Sequence, residues 1–209
     1  NSKACPLVGQ TKLNHPFFET LGDDIDIRFD LPLYNIYENG DLISTVRNIK
    51  EYWNDNFIAF AIGCSFSFEN ALINAGLEID HIKNNKVVPM YKTNIKNIES
   101  GPFKSTMVVS MRIFNKKDIE KVNEVSGNFS FAHGKPIHIG DPIKIGINNI
   151  QNPDWGDSPR KKNVEEEYVF WACGVTPQNS IIEAKIPFCI THTPGHMLIT
   201  DISEKSLHI

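Results

Sequence analysis

Two segments of the chain share one pattern: an apolar run ends at a cysteine, and a helical pattern follows. The segment AIGCSFSFENALINA begins at residue 61 and FWACGVTPQNSIIEA at residue 170, so that Cys64 aligns with Cys173. Such apolar runs are typical of strands that are covered on both faces. We therefore expect both cysteines to lie at the C-terminal ends of strands in one sheet, each followed by a helix. Strands that alternate with helices favour an α/β fold, and the middle third of the chain has the pattern of a smaller α+β unit.

The alignment also pairs polar residues. Ser67 falls on Thr176, and Glu69 falls on Gln178. Thr176 precedes Pro177, and this pair predicts a helix start with Thr176 as its cap; by analogy, Ser67 caps the first helix. Helix N-termini at strand ends attract carboxylates and phosphates, so both units are candidate binding positions, although two strand–helix units can also resemble each other by chance.

Both aligned cysteines have two interpretations. A thiol beside a helix N-terminus has a lowered pKa, which makes Cys64 and Cys173 candidate bases or nucleophiles. The alternative is that both are small buried apolar residues. The chain has four cysteines without CxxC spacing, which predicts reduced thiols and a cytoplasmic location.

Composition excludes several classes of function. The 209 residues carry a net charge of −4 without a basic block, so nucleic acid is not an expected partner. The sequence contains no apolar run of the ~20 residues that a membrane span needs. The length allows one large domain or two small ones. The chain opens on Asn1, so we expect the start of the natural protein to be missing.

The segment ITHTPGHMLITD places His192 and His196 four residues apart. A helical metal pair would need that spacing, but Pro194-Gly195 lies between them and favours a turn. The apolar flanks predict strand, turn, strand, with a histidine facing the cleft; two turn histidines bonded to nearby carbonyls are the alternative. Elsewhere LPLYNIYENGDLISTV predicts a hairpin turning at Asn39-Gly40, NIKEYWND a short helix, and IKIGI a short strand.

The middle of the chain adds polar candidates. FAHGKPIHIGDP brings His133, His138 and Asp141 close in sequence, and Asp154 and Asp157 follow in NPDWGD. Such residues can bind a metal, but no recognised ligand spacing occurs, so no metal ligands are assigned and a divalent metal stays open.

Arg112 lies within the apolar strand TMVVSMRI. An arginine there needs solvent or an anion as its partner. Its planar guanidinium suits a substrate carboxylate, and a structural salt bridge is the alternative.

Several blocks together resemble one known family. In chain order they are GCSFSFENAL, VPMYKTN, VVSMR, HGKPIHIGDP, PDWGD, VFWACGVTPQ and THTPGHMLITD. They are similar to the hydro-lyase family that includes D-glutamate cyclase, and the similarity runs from about Cys5 to Asp201. The resemblance implies a three-layer αβα main domain, residues 1–100 and 165–209, with a smaller α+β domain inserted at residues 101–164.

The resemblance also implies a reaction, the loss of water from D-glutamate to give 5-oxo-D-proline. This needs proton transfer, stabilisation of an oxyanion and an anchor for the α-carboxylate. We expect no cofactor, a small carboxylic or amino acid as partner, and a homo-oligomer as an open option. The candidate catalytic residues are His138, His192, His196, Cys64, Cys173 and Asp141. The candidate substrate-binding residues are Arg112, Ser67, Glu69, Asn94, Thr176 and Gln178.

Two other functions remain open at this point. Cofactor-independent amino-acid racemases use one thiol on each face of the substrate, which two cysteines at matched strand ends resemble in architecture. A protein that binds a small acid without turnover would have the same cleft.

Overall fold

The computed structural model describes residues 1–203 and combines three antiparallel sheets with short helices. The sheets have the strand orders β1-β4, β3-β2-β9 and β5-β6-β8-β7. The strands are β1 (Leu7–Gln10), β2 (Tyr34–Glu38), β3 (Asp41–Val46), β4 (Phe60–Ile62), β5 (Met90–Lys96), β6 (Thr106–Asn115), β7 (His138–Ile139), β8 (Glu166–Ala172) and β9 (Phe188–His192). The α-helices are α1 (Glu69–Asn74), α2 (Asp80–Lys83), α3 (Ile119–Gly127) and α4 (Thr176–Ala184).

The predicted mixture of strands and helices is confirmed, but the three-layer αβα arrangement is not. Every pair of neighbouring strands among the described residues is antiparallel, whereas a doubly wound α/β sheet is mostly parallel. The division into two domains stays a prediction, and the four-stranded sheet takes strands from both sides of its boundaries. Residues 204–209 of the predicted main domain lie outside the described residues.

The central strand β6 explains how the largest sheet is covered. Side chains alternate between the two faces of a strand. Phe114 packs on one face with Phe68 of the first cysteine unit, and Met111 packs on the other face with Phe170. The same alternation puts Ser110 and Arg112 on the Phe114 face, so polar groups enter an otherwise apolar layer.

The hairpin of β2 and β3 forms as predicted. Asn39 and Gly40 both have positive φ, 51° and 86°, as a tight two-residue hairpin turn requires. A side chain at Gly40 would also meet the carbonyl oxygen of Ile182, so this position needs glycine for two reasons. The strand β9 pairs with the free edge of β2 and brings His192 opposite Tyr34.

Three predicted elements are wrong. The segment NIKEYWND forms turns rather than a helix, and residues 142–145 within the predicted strand region form a 3-10 turn. The Asp141 carboxylate caps that turn by accepting from the backbone N–H of Ile143, which favours a turn over a strand. The Pro194-Gly195 turn is present, but residues 197–203 form no strand. Within residues 1–203 no helix combines the length and apolarity required to cross a bilayer.

Candidate functional site

A cavity of about 820 Å³ lies where the two cysteine units meet. Its wall is built from the β1-β4 sheet, the turn after Cys64, the start of α4 and the strand β9. Its size falls in the range of small-molecule sites, and its wall is mainly apolar with a few polar groups. The described residues that line it include no Asp, Glu, Lys or Arg side chain.

The first unit begins at the end of β4. Cys64 has extended backbone, and a 3-10 turn, Ser65–Phe68, starts directly after it and leads into α1. The backbone N–H of Phe66 donates to the sulfur of Cys64. Gly63 precedes the cysteine, and a Cβ there would lie 1.6 Å from the carbonyl oxygen of Phe131, so the strand can approach this loop only with glycine.

The second unit repeats this local arrangement. Cys173 follows β8, and the backbone N–H of Val175, two residues on, donates to its sulfur. Both cysteines line the cavity, but β4 and β8 belong to different sheets. The prediction that the two cysteines lie in one sheet is therefore wrong, although the prediction that both follow a strand and precede a helix is confirmed.

The predicted activation of the thiols is also wrong. Burial raises the pKa of Cys64, and it raises the pKa of Cys173 to about 12. The backbone N–H donors and the charge of Arg112 act in the opposite direction, but they do not offset the loss of solvent. Both thiols are therefore protonated at neutral pH, and neither sulfur forms a disulfide.

The two hydroxyl residues are not helix caps. Val175 occupies the cap position of α4, and the Thr176 hydroxyl donates to the carbonyl oxygen of Cys173 at 2.7 Å while accepting from the N–H of Val108 at 3.1 Å. Thr176 thus ties α4 to β6. Ser67 lies inside the 3-10 turn and lines the cavity, while Cys64 occupies the cap position of that turn.

Gln178 and His192 form a polar pair at the cavity wall. The Gln178 Nε2 amide donates to the backbone oxygen of His192 at 3.0 Å and contacts its Nδ1 at 3.3 Å. The amide can serve both only if Nδ1 accepts, so the neutral ring carries its proton on Nε2. Burial, with a contribution from the nearby His196, lowers the pKa of His192 to about 4, which keeps the ring neutral.

A buried charged network lies behind the wall of the first unit. Arg112 donates through Nε to Glu69 Oε1 at 2.8 Å and through Nη2 to the same oxygen at 2.5 Å. His81 Nε2 lies 3.1 Å from this oxygen as well. Burial alone would raise the pKa of Glu69, but Arg112 and His81 hold it below its ordinary value. Glu69 and Arg112 thus form an internal ion pair.

Two serines complete this network, and the sequence analysis missed both. Arg112 Nη2 donates to Ser65 Oγ at 3.0 Å, and Nη1 donates to Ser110 Oγ at 3.0 Å. Ser65 lines the cavity, whereas Arg112 does not. The signal that could have found Ser110 was its spacing from Arg112, since residues two apart on a strand share one face.

The chain is similar to several known proteins over nearly its whole length. The model of a family described as D-glutamate cyclase matches residues 58–201. A protein of Dinoroseobacter shibae is 50% identical over 204 residues, which cover 98% of this chain and 68% of that protein. Proteins of Pelagibacter ubique and Burkholderia multivorans are 50% and 46% identical, over 96% and 100% of this chain and 77% and 80% of their own lengths. All three are named "Putative hydro-lyase".

The chain belongs to the D-glutamate cyclase family. This confirms the family inferred from the sequence motifs, a family named for a lyase reaction. The range matched by the D-glutamate cyclase model contains both cysteine units, Arg112 and the His192 turn. Most of the residues that line the cavity therefore lie within the matched range, and segments of residues 1–57 contribute most of the others.

Several predicted residues lie away from the cavity wall. His138 bonds through Nε2 to the carbonyl oxygen of Asp141, and both stay in the loop around β7. Asn94 is exposed on β5, beside Gly146. His196 does not line the cavity but lies close enough to His192 to affect its pKa.

The acidic residues of the middle segment also have structural partners. The carboxylate of Asp154 accepts from the backbone N–H of Lys92, and that of Asp157 accepts from the N–H of Val87. The imidazole of the buried His133 contacts the carbonyl oxygen of Lys3. Within residues 1–203 no three His, Cys, Asp or Glu side chains are grouped so that they could hold a metal ion.

Proposed function

We propose that this protein is a hydro-lyase that converts D-glutamate into 5-oxo-D-proline and water. The observation that carries the proposal is the cavity wall, whose described residues offer hydrogen-bond donors and thiols but no ionised Asp, Glu, Lys or Arg side chain. Membership of the D-glutamate cyclase family supports this reaction, and the names of the relatives support a hydro-lyase.

An uncharged cavity suits this reaction because of the charge state of glutamate. In water the substrate carries an ammonium group without a free electron pair and a side-chain carboxylate that resists nucleophilic attack. Burial without a charged partner lowers the pKa of an ammonium and raises that of a carboxylate. A proton can therefore pass from nitrogen to the side-chain carboxylate, which leaves an amine and a carboxylic acid.

The cyclisation then balances within the substrate. The amine nitrogen attacks the side-chain carboxyl carbon, a C–N bond forms, and a tetrahedral oxyanion develops. The C–OH bond breaks, and the hydroxyl leaves as water with a proton from the nitrogen. We propose that the cavity contributes chiefly by holding the substrate bent, since the two groups react fast only when they are held close together.

We assign two roles to the second unit. The positive end of α4 faces the cavity beside Gly174 and would hold the α-carboxylate, because a helix N-terminus favours anions. The neutral ring of His192 has a proton on Nε2 and would donate it as a hydrogen bond to the leaving hydroxyl. No cofactor enters this scheme, and Cys64 and Cys173 serve as neutral wall residues in it.

The structure gives less support to a two-thiol racemase. Such an enzyme needs one thiolate as base, whereas burial raises the pKa of both cysteines. A protein that only binds a small acid would use the same cavity and would be stabilised by its ligand without converting it.

An NMR time course in D2O separates these functions. The full-length protein is incubated with D-glutamate, L-glutamate or 5-oxoproline, each with a chelator or with added divalent metal. We expect 5-oxoproline signals from D-glutamate alone, with the Cα proton retained. Loss of that proton to solvent would indicate a racemase, and binding without any new signal would indicate a binding protein.

Cys173→Ser is the matched variant for this experiment. It removes the thiol while keeping the size of the side chain and a polar hydrogen. The proposed cyclase keeps its activity within about threefold, whereas a racemase that uses this thiol loses at least about 100-fold. If wild type converts neither enantiomer under any of these conditions, the proposed reaction is wrong for this protein.

A further inference from the structure

We propose that Ser65 is the group that binds a carboxylate of the substrate inside the cavity, and that Arg112 and Ser110 position and polarise its hydroxyl from behind the wall. The inference rests on the proposed function only in taking this carboxylate to be the side-chain carboxyl of glutamate. The position of Ser65 comes from the geometry of the network alone.

The guanidinium cannot reach the cavity itself. Its side chain is 1% exposed, and its bonds go to Glu69, Ser65 and Ser110. Its carbon also lies 5.1 Å from the ring centre of Phe68 and 5.3 Å from that of Trp171. An ion pair on one side and two aromatic faces around the plane hold the guanidinium in place.

The hydrogen bonds around the two serines leave the hydroxyl of Ser65 with a proton that it can donate into the cavity. Each hydroxyl oxygen accepts a bond from Arg112, so each has its own proton left to donate. Ser110 Oγ and Ser65 Oγ lie 3.4 Å apart, a contact in which either hydroxyl can donate, and we assign Ser110 as the donor because it does not line the cavity. With Ser110 donating to it, Ser65 must send its own proton elsewhere, and it lines the cavity.

The charge of Arg112 makes this hydroxyl a strong donor. Two bonds converge on Ser65 Oγ, one of them from a cation, and bonds in such a chain strengthen one another in a medium of low dielectric constant. Glu69 balances the cation, so the wall itself stays uncharged. A preorganised donor of this kind stabilises the oxyanion that develops when an amine attacks a carboxyl group.

The arrangement also explains why this polar group follows Cys64 and not Cys173. Ser65 aligns with Gly174 in the second unit, where the start of α4 faces the cavity. We therefore infer that the two units hold opposite ends of one dicarboxylate. The helix end of the second unit takes the α-carboxylate, and the hydroxyl of the first unit takes the reacting carboxyl.

Two measurements on three variants test the proposal. The first is calorimetric binding of glutarate, a dicarboxylate of glutamate's length that has no amine and cannot cyclise. The second is turnover of D-glutamate. Ser65→Ala removes the donor, Ser65→Thr keeps the hydroxyl, and Ser126→Ala is the control, since Ser126 is a fully buried hydroxyl that bonds Val122 within α3.

We expect Ser65→Ala to bind glutarate about 10-fold more weakly and to lower kcat for D-glutamate about 100-fold, with a smaller change in KM. Ser65→Thr should recover most of both, and Ser126→Ala should lower the melting temperature without changing either. Ser110→Ala, which removes the polarising contact, should lower kcat by about 10-fold while KM stays near that of wild type.

The outcomes separate this proposal from the proposed reaction. Glutarate binding that depends on Ser65, in a protein that does not turn over glutamate, supports the Ser65 site and rejects the cyclase reaction. Turnover by wild type with Ser65→Ala unchanged in kcat and in glutarate affinity overturns the Ser65 site and leaves the reaction standing. A folded wild type that binds no glutarate also overturns the Ser65 site.

Discussion

The two cysteine units have the same local backbone pattern but opposite electrostatic surroundings. In both, a backbone N–H two residues after the cysteine donates to the sulfur, and both sulfurs lie at one cavity. The aligned pair Glu69 and Gln178 shows the difference. Glu69 balances a buried cation, whereas Gln178 holds a neutral histidine by two bonds from its amide.

This difference shows that a repeated backbone motif does not fix the chemistry of its side chains. The α-helix of the first unit has 6 residues, and its Glu69 pairs with the Arg112 side chain of β6. The second unit follows β8 of the four-stranded sheet, and its helix has 9 residues. A short helix offers a weak dipole, so a charged network supplies polarity there. The second unit obtains its polarity from the helix itself.

Gly63→Ala should have the largest effect. It tests whether the first unit depends on a close backbone approach that the second unit lacks. The new Cβ would lie 1.6 Å from a carbonyl oxygen of the loop at Phe131. We expect a loss of more than about 4 kcal/mol in unfolding free energy, or no folded protein. Urea unfolding followed by circular dichroism measures it.

Gly174→Ala is the control in the second unit, where it makes the same change one residue after the cysteine, whereas Gly63 lies one residue before Cys64. A Cβ there would meet its nearest atom at 3.5 Å, an ordinary contact. This variant should stay within about 1 kcal/mol of wild type. Equal destabilisation by the two substitutions would remove the structural contrast between the units.

Exchanging the aligned polar residues tests the electrostatic contrast. Glu69→Gln leaves Arg112 as a buried cation without a countercharge, and we expect a loss of about 3 kcal/mol in unfolding free energy. Gln178→Glu places a carboxylate against the backbone oxygen of His192 and should also destabilise. Chemical denaturation of each variant measures both effects.

Glu183→Gln provides the control, since it makes the same change on α4, where the carboxylate accepts from the neutral side-chain amide of Asn179. It should cost about 1 kcal/mol or less. Stability of Glu69→Gln equal to that of the control would mean that the buried ion pair contributes nothing specific to the first unit.

The sequence pattern predicted what depends on local chemistry. Asn39-Gly40 identified the hairpin turn because few residues adopt two successive positive φ angles, and Pro177 identified the start of α4. The apolar runs identified β6 and β8. The cavity residue His192 was found because a turn predicted in its neighbourhood exposes polar groups at a strand end.

The rest depended on tertiary contacts that local patterns do not contain. The strand pairing that puts β4 and β8 into different sheets is set by partners distant in the chain. The raised pKa of Cys173 comes from burial, which a sequence motif beside a helix does not reveal. Arg112 was singled out as an arginine that needs an anion, but its partner is Glu69, 43 residues away, and the role that we propose for Ser65 depends on that pairing.

The pH dependence of stability tests the loop that supports the first unit. Burial lowers the pKa of His133 from 6.5 to about 4, with the charge of Arg112 adding to this and the bond to Lys3 opposing it. Between these values the unfolded chain binds a proton that the folded chain does not, so stability falls as the pH is lowered from 6.5 to 4. The contribution of His133 is about 3 kcal/mol at most.

His133→Asn should flatten part of this dependence. His133 has a φ of 79°, and asparagine tolerates that conformation without titrating. His192 has a pKa lowered to about 4 as well, so some slope remains in the variant. At still lower pH, protonation of Glu69 removes the benefit of its ion pair in both proteins. Unfolding free energies at pH 7, 5.5 and 4.5 measure the slope, and identical slopes would exclude His133 as its source.

Thr176→Val should have the smallest effect, and it asks whether the second unit is anchored by neutral hydrogen bonds as the first is by charge. The substitution keeps the shape of the side chain but removes the hydroxyl that accepts from Val108 and donates to Cys173. Because Val108 lies in the buried centre of β6, its N–H would lose this partner, and we expect a loss of about 1–2 kcal/mol in unfolding free energy. Thr176→Ser keeps the hydroxyl and serves as the control, with a loss of about 1 kcal/mol or less from the missing methyl group. Measured at 0.05 M and 0.5 M salt, the Thr176→Val effect should not change, because neither partner is charged. An effect that shrinks at high salt would show that the second unit, too, depends on charge, and the contrast between the two units would then be wrong.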